Sequence, residues 1–174
     1  MESLREQCVE IESEPLKKFM LVAFELARNA LQNQEVPIGC VFVYRGEIIA
    51  AARNTVNETH NATRHAELNC IDKVVEYCKQ NNLDYKSIFN DITVYVTVEP
   101  CIMCIAILYK LNVKCIKYGC QNDRFGGVTA HDVGSNMRSD TSTEGGYYGE
   151  MAMNLLKEFY KGTNPNAPVF KRKK

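Results

Sequence analysis

From Leu16 to Leu31 the apolar residues Leu16, Phe19, Met20, Ala23, Ala27, Ala30 and Leu31 recur every three or four positions. That spacing predicts a helix over about residues 15–32. Ser13-Glu14-Pro15 suits its start, with Ser as N-cap and Pro in the first turn. Pro37-Ile38-Gly39 breaks the helical period. Residues 38–44 and 47–53 then read as two strands joined at Arg45-Gly46. Residues 54–64 are polar and loop-like. A second helix begins near His65, with Ile71, Val74, Val75 and Cys78 on its apolar face, and ends at Asn81-Asn82. Ile92, Val94, Val96 and Val98 alternate with Thr93, Tyr95 and Thr97 in a third strand that Pro100 ends. A helix carrying Ile102, Ile105, Leu108 and Tyr109 follows, then a fourth strand over 113–119. Residues 121–146 are rich in Gly, Asn, Asp, Ser and Thr, which reads as a long functional loop. A last helix is predicted over about 147–160, with Met151, Leu155 and Phe159 inward.

Helix, hairpin, helix, strand, helix, strand, helix is the resulting order. The strand–helix–strand unit over 92–119 predicts a right-handed crossover between parallel strands. The hairpin ahead of it makes the sheet mixed. The expectation is an α/β protein with three α/β/α layers: one domain over 15–162, an N-terminal extension over 1–14 and a C-terminal tail over 163–174.

Composition narrows the class. The 174 residues are 45% hydrophobic and 24% charged, which suits one globular domain with its own core. No apolar run approaches a membrane span, and no basic-then-apolar leader opens the chain, so the expected location is cytoplasm, nucleus or both, with no membrane partner. Eight cysteines in a reducing compartment are expected as thiols or metal ligands. Cys8, Cys40, Cys70, Cys78, Cys115 and Cys120 have no ligand-like spacing and read as small buried hydrophobes.

Net charge is zero, which by itself argues against an electrostatic nucleic-acid binder. The distribution differs from the sum. Residues 157–174 hold six bases against Glu158, ending in Lys171, Arg172, Lys173 and Lys174. That tail reads equally as a solvated end or as an arm for phosphates.

The chemistry gathers at two predicted helix starts, His65-Ala66-Glu67 and Pro100-Cys101-Ile102-Met103-Cys104. Cysteines three apart at a helix N-terminus share a face, and the positive end of the helix favours their thiolates. With His65 they make three soft-to-borderline ligands that suit one zinc ion. Structural zinc takes four protein ligands, whereas catalytic zinc leaves one position for water. Cys70 lies five residues past His65, about 140° around the helix, and Cys115 lies mid-strand, so neither closes the site. Glu67 supplies the proton shuttle that deamination needs: the protons of a water taken up and delivered, one to a ring nitrogen and one to a leaving amine. Taken alone, Cys-x-x-Cys also fits a redox motif. Glu99, between a strand and Pro100, reads as structural.

The H-x-E…P-C-x-x-C pattern resembles that of the zinc nucleobase deaminases. The likeness extends through Glu35–Gly39, Arg53-Asn54, Asn61–Glu67, Val96–Cys104 and Tyr118–Gly127, segments similar to those of the tRNA adenosine deaminases. It is nearest to the catalytic subunit of the eukaryotic heterodimeric enzymes, and covers the chain from about residue 15 to the tail. The resemblance implies a cytidine-deaminase-like fold and conversion of adenosine to inosine at the wobble position of the tRNA anticodon. It also implies a related non-catalytic partner subunit, with a homodimer, as in bacterial relatives, the alternative. It assigns nucleoside contacts to Asn54 and to the backbone of Ala66, pocket walls to Val36 and Val98, and an RNA-backbone contact to Asn122. Read without it, Asn54 is a turn former, and Val36 and Val98 are core. Arg64, Arg124, the tail and the aromatics Tyr147, Tyr148 and Phe170 are further candidates for RNA contact.

Two alternatives stay open at this stage. One is a zinc deaminase of a free nucleotide or base, of deoxycytidylate or guanine type, which would not need a basic tail. The other is a non-enzymatic RNA-binding subunit, against which Glu67 argues.

Overall fold

The computed structural model describes residues 14–137 and 139–161. Ser13, the N-terminal extension with Cys8, and the tail with Phe170 and Lys171–Lys174 lie outside the described residues. Helix α1 runs over Glu14–Gln32 and buries Phe24 besides most of the predicted face. The hairpin follows as β1 (Gly39–Tyr44) and β2 (Glu47–Arg53). Arg45 and Gly46 both have positive φ, 51° and 85°, as a two-residue turn matched to the twist of its strands requires.

A one-turn helix, α2 (Val56–Thr59), interrupts the predicted loop. Helix α3 (Ala66–Gln80) has His65 as N-cap. A helix that the apolar pattern does not reveal comes next. It is α4 (Tyr85–Asn90), short, with the Asp84 side chain accepting from the Ser87 N–H as its cap. Strand β3 (Ile92–Val98) leads through Pro100 into α5 (Ile102–Lys110), and β4 covers Cys115–Cys120. The predicted loop over 121–146 holds a 3-10 turn at Val133–Asn136 and a short strand β5 (Ser142–Glu144). Helix α6 begins at Gly149, two residues later than expected, and ends at Lys161.

Among the described residues the strands lie in the order β2-β1-β3-β4-β5. β1 is antiparallel to β2 and β3, while β4 is parallel to β3 and β5. The sheet is mixed, as the hairpin followed by a crossover requires. Alternate residues of β1 face opposite layers. Cys40 and Phe42 pack with Cys70 and Val74 of α3, Phe89 of α4 and Ile105 and Leu108 of α5. Val41 and Val43 pack with Phe19, Met20 and Phe24 of α1 and Ala152 of α6. The three α/β/α layers follow from these two cores.

Three expectations of inwardness change. β3 is buried almost throughout, including Tyr95 and Thr97, because helices cover both faces of a central strand. Ile102, predicted to face the core, is exposed. On α6, which packs against β3, β4 and α1, Ala152 is the buried residue, and Met151, Leu155 and Phe159 are half-buried. Cys40, Cys70, Cys78, Cys115 and Cys120 are buried free thiols. Lys117 of β4 pairs with Glu144 of β5, and the Tyr147 hydroxyl donates to the same carboxylate at 2.7 Å. Those polar bonds hold the short edge strand that no apolar alternation announces.

Candidate active site

Proline decides where the metal loop begins. Pro100 has no N–H for the ladder, so β3 stops, and the chain turns into α5 with Cys101 as N-cap in extended backbone (φ −67°, ψ 168°). His65 holds the same position on α3 (φ −74°, ψ 159°). Neither side chain caps its helix, which leaves both free to face each other. The His65 Nδ1 lies 3.6 Å from the Cys101 Sγ and 3.5 Å from the Cys104 Sγ. All three donor atoms fall within 4.8 Å of one another. Tetrahedral zinc with ligands at its usual bond lengths separates a nitrogen from a sulfur by about 3.5 Å. The residues present therefore fit the ion, and no fourth protein ligand joins them among the described residues. Cys70, on another face of α3, donates its thiol to the Cys40 carbonyl at 3.3 Å.

The electrostatics suit a cation. The Cys104 thiol donates to Cys101 and, with His65, holds the Cys101 sulfur down at about 4 against the opposing effect of burial. That shared proton, together with burial, raises Cys104 far above the ordinary thiol range. The hydrogen bond to Cys101 raises His65. Without metal the pair thus carries one thiolate. Holding a divalent ion as two thiolates would require Cys101 and Cys104 to give up the remaining proton.

Glu67, in the first turn of α3, is buried at 3% exposure, and its Oε2 has no hydrogen-bond partner among the described residues. Burial pushes its carboxyl up to about 7; a cation at the triad pulls it back. A buried carboxylate oxygen with no protein partner, next to three ligand atoms at metal-binding spacing, suits proton transfer at a bound ion.

His65, Glu67 and Cys101 open onto a cavity of about 710 Å³, within the usual range for small-molecule sites. Asn54, Val36, Val98 and Asn122 line it too. Asn54 is buried, and its Oδ1 accepts the Ala66 N–H at 2.8 Å, so this residue both walls the cavity and caps α3 from outside the helix. Ala66 itself is fully buried and does not line the cavity, its N–H being committed to Asn54. Asn122 uses its Oδ1 on the Phe125 N–H at 3.1 Å and its own N–H on Glu99. Arg124 lines the cavity with its guanidinium over the Phe125 ring, whereas Arg64 turns away to pair with Asp72. Tyr147 bonds to Glu144, and Tyr148 packs edge-on against Phe24 at 6.1 Å; neither lines this cavity.

Sequence reasoning missed the wall that α6 provides. Met153, Leu156 and Tyr160 line the cavity, and their spacing of three and four was a second apolar stripe beside the one assigned to the core. Ile102 and Phe125 complete the rim, both exposed.

The family model described as the cytidine and deoxycytidylate deaminase zinc-binding region matches residues 13–120. The chain is 47% identical over 167 residues to tRNA-specific adenosine deaminase 2 of Xenopus tropicalis, covering 93% of this chain and 98% of that protein. This chain belongs to the tRNA-specific adenosine deaminase family. It is also 42% identical over 160 residues to the tRNA-specific adenosine deaminase subunit tad2 of Schizosaccharomyces pombe, covering 90% of this chain and 40% of that longer protein. A solved structure from work on A-to-I editing by tRNA:A34 deaminases superposes with a TM-score of 0.71 at 28% identity, covering 80% of this deaminase and 99% of that chain. The deaminase motifs and the metal triad thus fall within the matched region.

Proposed function

We infer that this deaminase hydrolyses adenosine to inosine at the wobble position of tRNA anticodons. One observation carries the reading: a three-ligand metal triad, through His65 and Cys101, and a buried carboxylate with an unpartnered oxygen face one nucleoside-sized cavity. His65, Cys101 and Cys104 hold the ion, which when bound supplies an acidified water as the nucleophile. Glu67 takes up the two protons of the water in turn at Oε2, passing the first to the adenine ring nitrogen and the second to the departing amino group, which leaves as ammonia. Asn54, with Oδ1 engaged by Ala66, offers its Nδ2 hydrogens to the nucleoside. Val36, Val98 and the α6 residues exclude water around the base. Asn122 presents the rim to the RNA backbone.

A target base inside a folded tRNA reaches such a cavity only when turned out of its stack, which a loop nucleotide does at low cost. A chain with no net charge supplies few phosphate contacts. Lys157 and Lys161 on α6 and the tail Lys171–Lys174 add some, and a related non-catalytic subunit adds the rest. The active form is therefore a heterodimer, working in the cytoplasm, the nucleus or both.

The test is incubation of the zinc-loaded chain with tRNA transcripts, with and without the related subunit, reading inosine as A-to-G changes in the anticodon. Glu67→Ala is expected to keep zinc and abolish inosine; retained activity refutes the shuttle. Full activity of the chain alone refutes the heterodimer. Removing residues 171–174 is expected to weaken tRNA binding, and unchanged affinity refutes the tail's part.

A further inference from the structure

Glu99 is buried at 2% exposure immediately ahead of the metal loop. Both its oxygens are occupied, and by one segment alone. Oε1 accepts the N–H groups of Val128 and Thr129 at 2.9 and 2.8 Å. Oε2 accepts the Asn122 N–H at 3.0 Å and the Thr129 hydroxyl at 2.7 Å. Neighbouring backbone repeats the stitch: the Glu99 N–H donates to the Cys120 carbonyl, Ile102 to Phe125 and Gly127 to Pro100. A side chain on Gly126 would meet the Glu99 Oε1 at 2.4 Å, so a glycine at that point lets the loop close on the carboxylate.

We propose that Glu99 is a positioning residue for the substrate, clamping the loop over 122–129 to the metal loop so that Asn122, Asp123, Arg124 and Phe125 form the cavity wall. The proposal rests on the deaminase reading above. Both ends of the loop are tied to this one carboxylate, and the residues between them are held by backbone bonds, Ile102 to Phe125, Gly127 to Pro100 and Gly126 to Asn122. Phe125 is 51% exposed, and the Arg124 guanidinium lies over its ring. Residues 123–125 are exposed and bury no apolar face, so the wall's place is set by these polar bonds, while Val128 at the end of the loop packs on the core. With every lone-pair direction used on the loop, Glu99 has none to offer a reacting atom, so it acts through the wall.

The experiment compares wild type, E99Q and T129V as zinc-loaded chains with the partner subunit, measuring steady-state kinetics on tRNA, zinc content and amide exchange. Glutamine places an NH2 where an oxygen accepts, leaving at least one backbone N–H without its acceptor. For E99Q the expected result is a KM raised on the order of tenfold, kcat within about threefold of wild type, and unchanged zinc. Amides over 122–129 should exchange faster while those over 66–80 do not. T129V, which removes one of the four bonds, should show the same split at smaller size. Unchanged KM with unchanged exchange overturns the clamp. Loss of zinc with a fall in kcat at constant KM also overturns it, placing Glu99 with the metal loop instead. If wild type forms no inosine, the deaminase reading fails by itself, and the exchange measurement still decides the clamp.

Discussion

Asn54→Ala removes the acceptor of the Ala66 N–H, a bond of 2.8 Å between a residue at 2% exposure and one at 0%. Two routes give its size. An uncompensated buried N–H costs roughly 1–3 kcal/mol, and loss of a helix cap costs about 1 kcal/mol within a range of roughly 0.5–2. Asn54 lines the cavity, so water can reach the freed N–H after truncation, which favours the lower half: about 1–2 kcal/mol. For a domain of this length that lowers the unfolding midpoint by roughly 2–8 °C. Asn54→Asp separates the two duties of the side chain. It keeps an oxygen for Ala66 and places negative charge at the N-terminus of α3, which the helix dipole favours, but it has no Nδ2 hydrogens for substrate. Differential scanning calorimetry of the zinc-loaded proteins should show a lowered midpoint for Asn54→Ala and one within about 2 °C of wild type for Asn54→Asp. Inosine formation should be lost in both. An Asn54→Ala protein that melts with wild type refutes the cap, and an active Asn54→Asp protein refutes the substrate contact.

The remaining predictions test other parts of the frame. A methyl group on Gly39 would lie 2.0 Å from the Ala23 carbonyl oxygen and 2.8 Å from the Ala27 nitrogen. These are backbone atoms that no rotamer change can move, so G39A should cost about 3 kcal/mol or more, seen as insoluble protein or a midpoint many degrees lower. Burial opposes ionisation of Glu99, but the hydrogen bonds from Asn122, Thr129 and Val128 outweigh it and hold the carboxyl below its ordinary range. A depressed acid contributes stability above its unfolded value of about 4.3 and loses it as pH falls toward the folded one. Urea midpoints of wild type and E99Q should therefore differ at pH 6 and converge below about pH 4. Chelator-stripped protein should be alkylated by iodoacetamide first at Cys101, which the Cys104 thiol keeps ionised, with a rate flat from about pH 6 to 8. Peptide mapping reads the site, and restored zinc should suppress it; preferential labelling of Cys104 would refute the shared proton.

The linear order of the chain determined its chemistry and most of its frame. Period and punctuation placed α1, the hairpin, α3, β3, α5 and β4, because each buries an apolar face whose spacing is visible in the letters. Ligand identity and count marked an open zinc site, since His65, Cys101 and Cys104 sit beside helix starts that the prolines and polar loops announce. Short elements gave no such signal: α4 has room for only one buried pair, Ile88 and Phe89, behind its Asp84 cap, and β5 is held by Lys117 and Tyr147. Only the folded chain decided what surrounds the triad. Glu99 could be seen as structural, but its hold on Asn122, Val128 and Thr129 depends on a loop returning from beyond β4. Met153, Leu156 and Tyr160 became cavity wall because α6, far along the chain, packs against β3, β4 and α1. A sequence states which side chains exist and which face of a helix or strand they share; which faces meet is settled by packing between segments far apart in the chain.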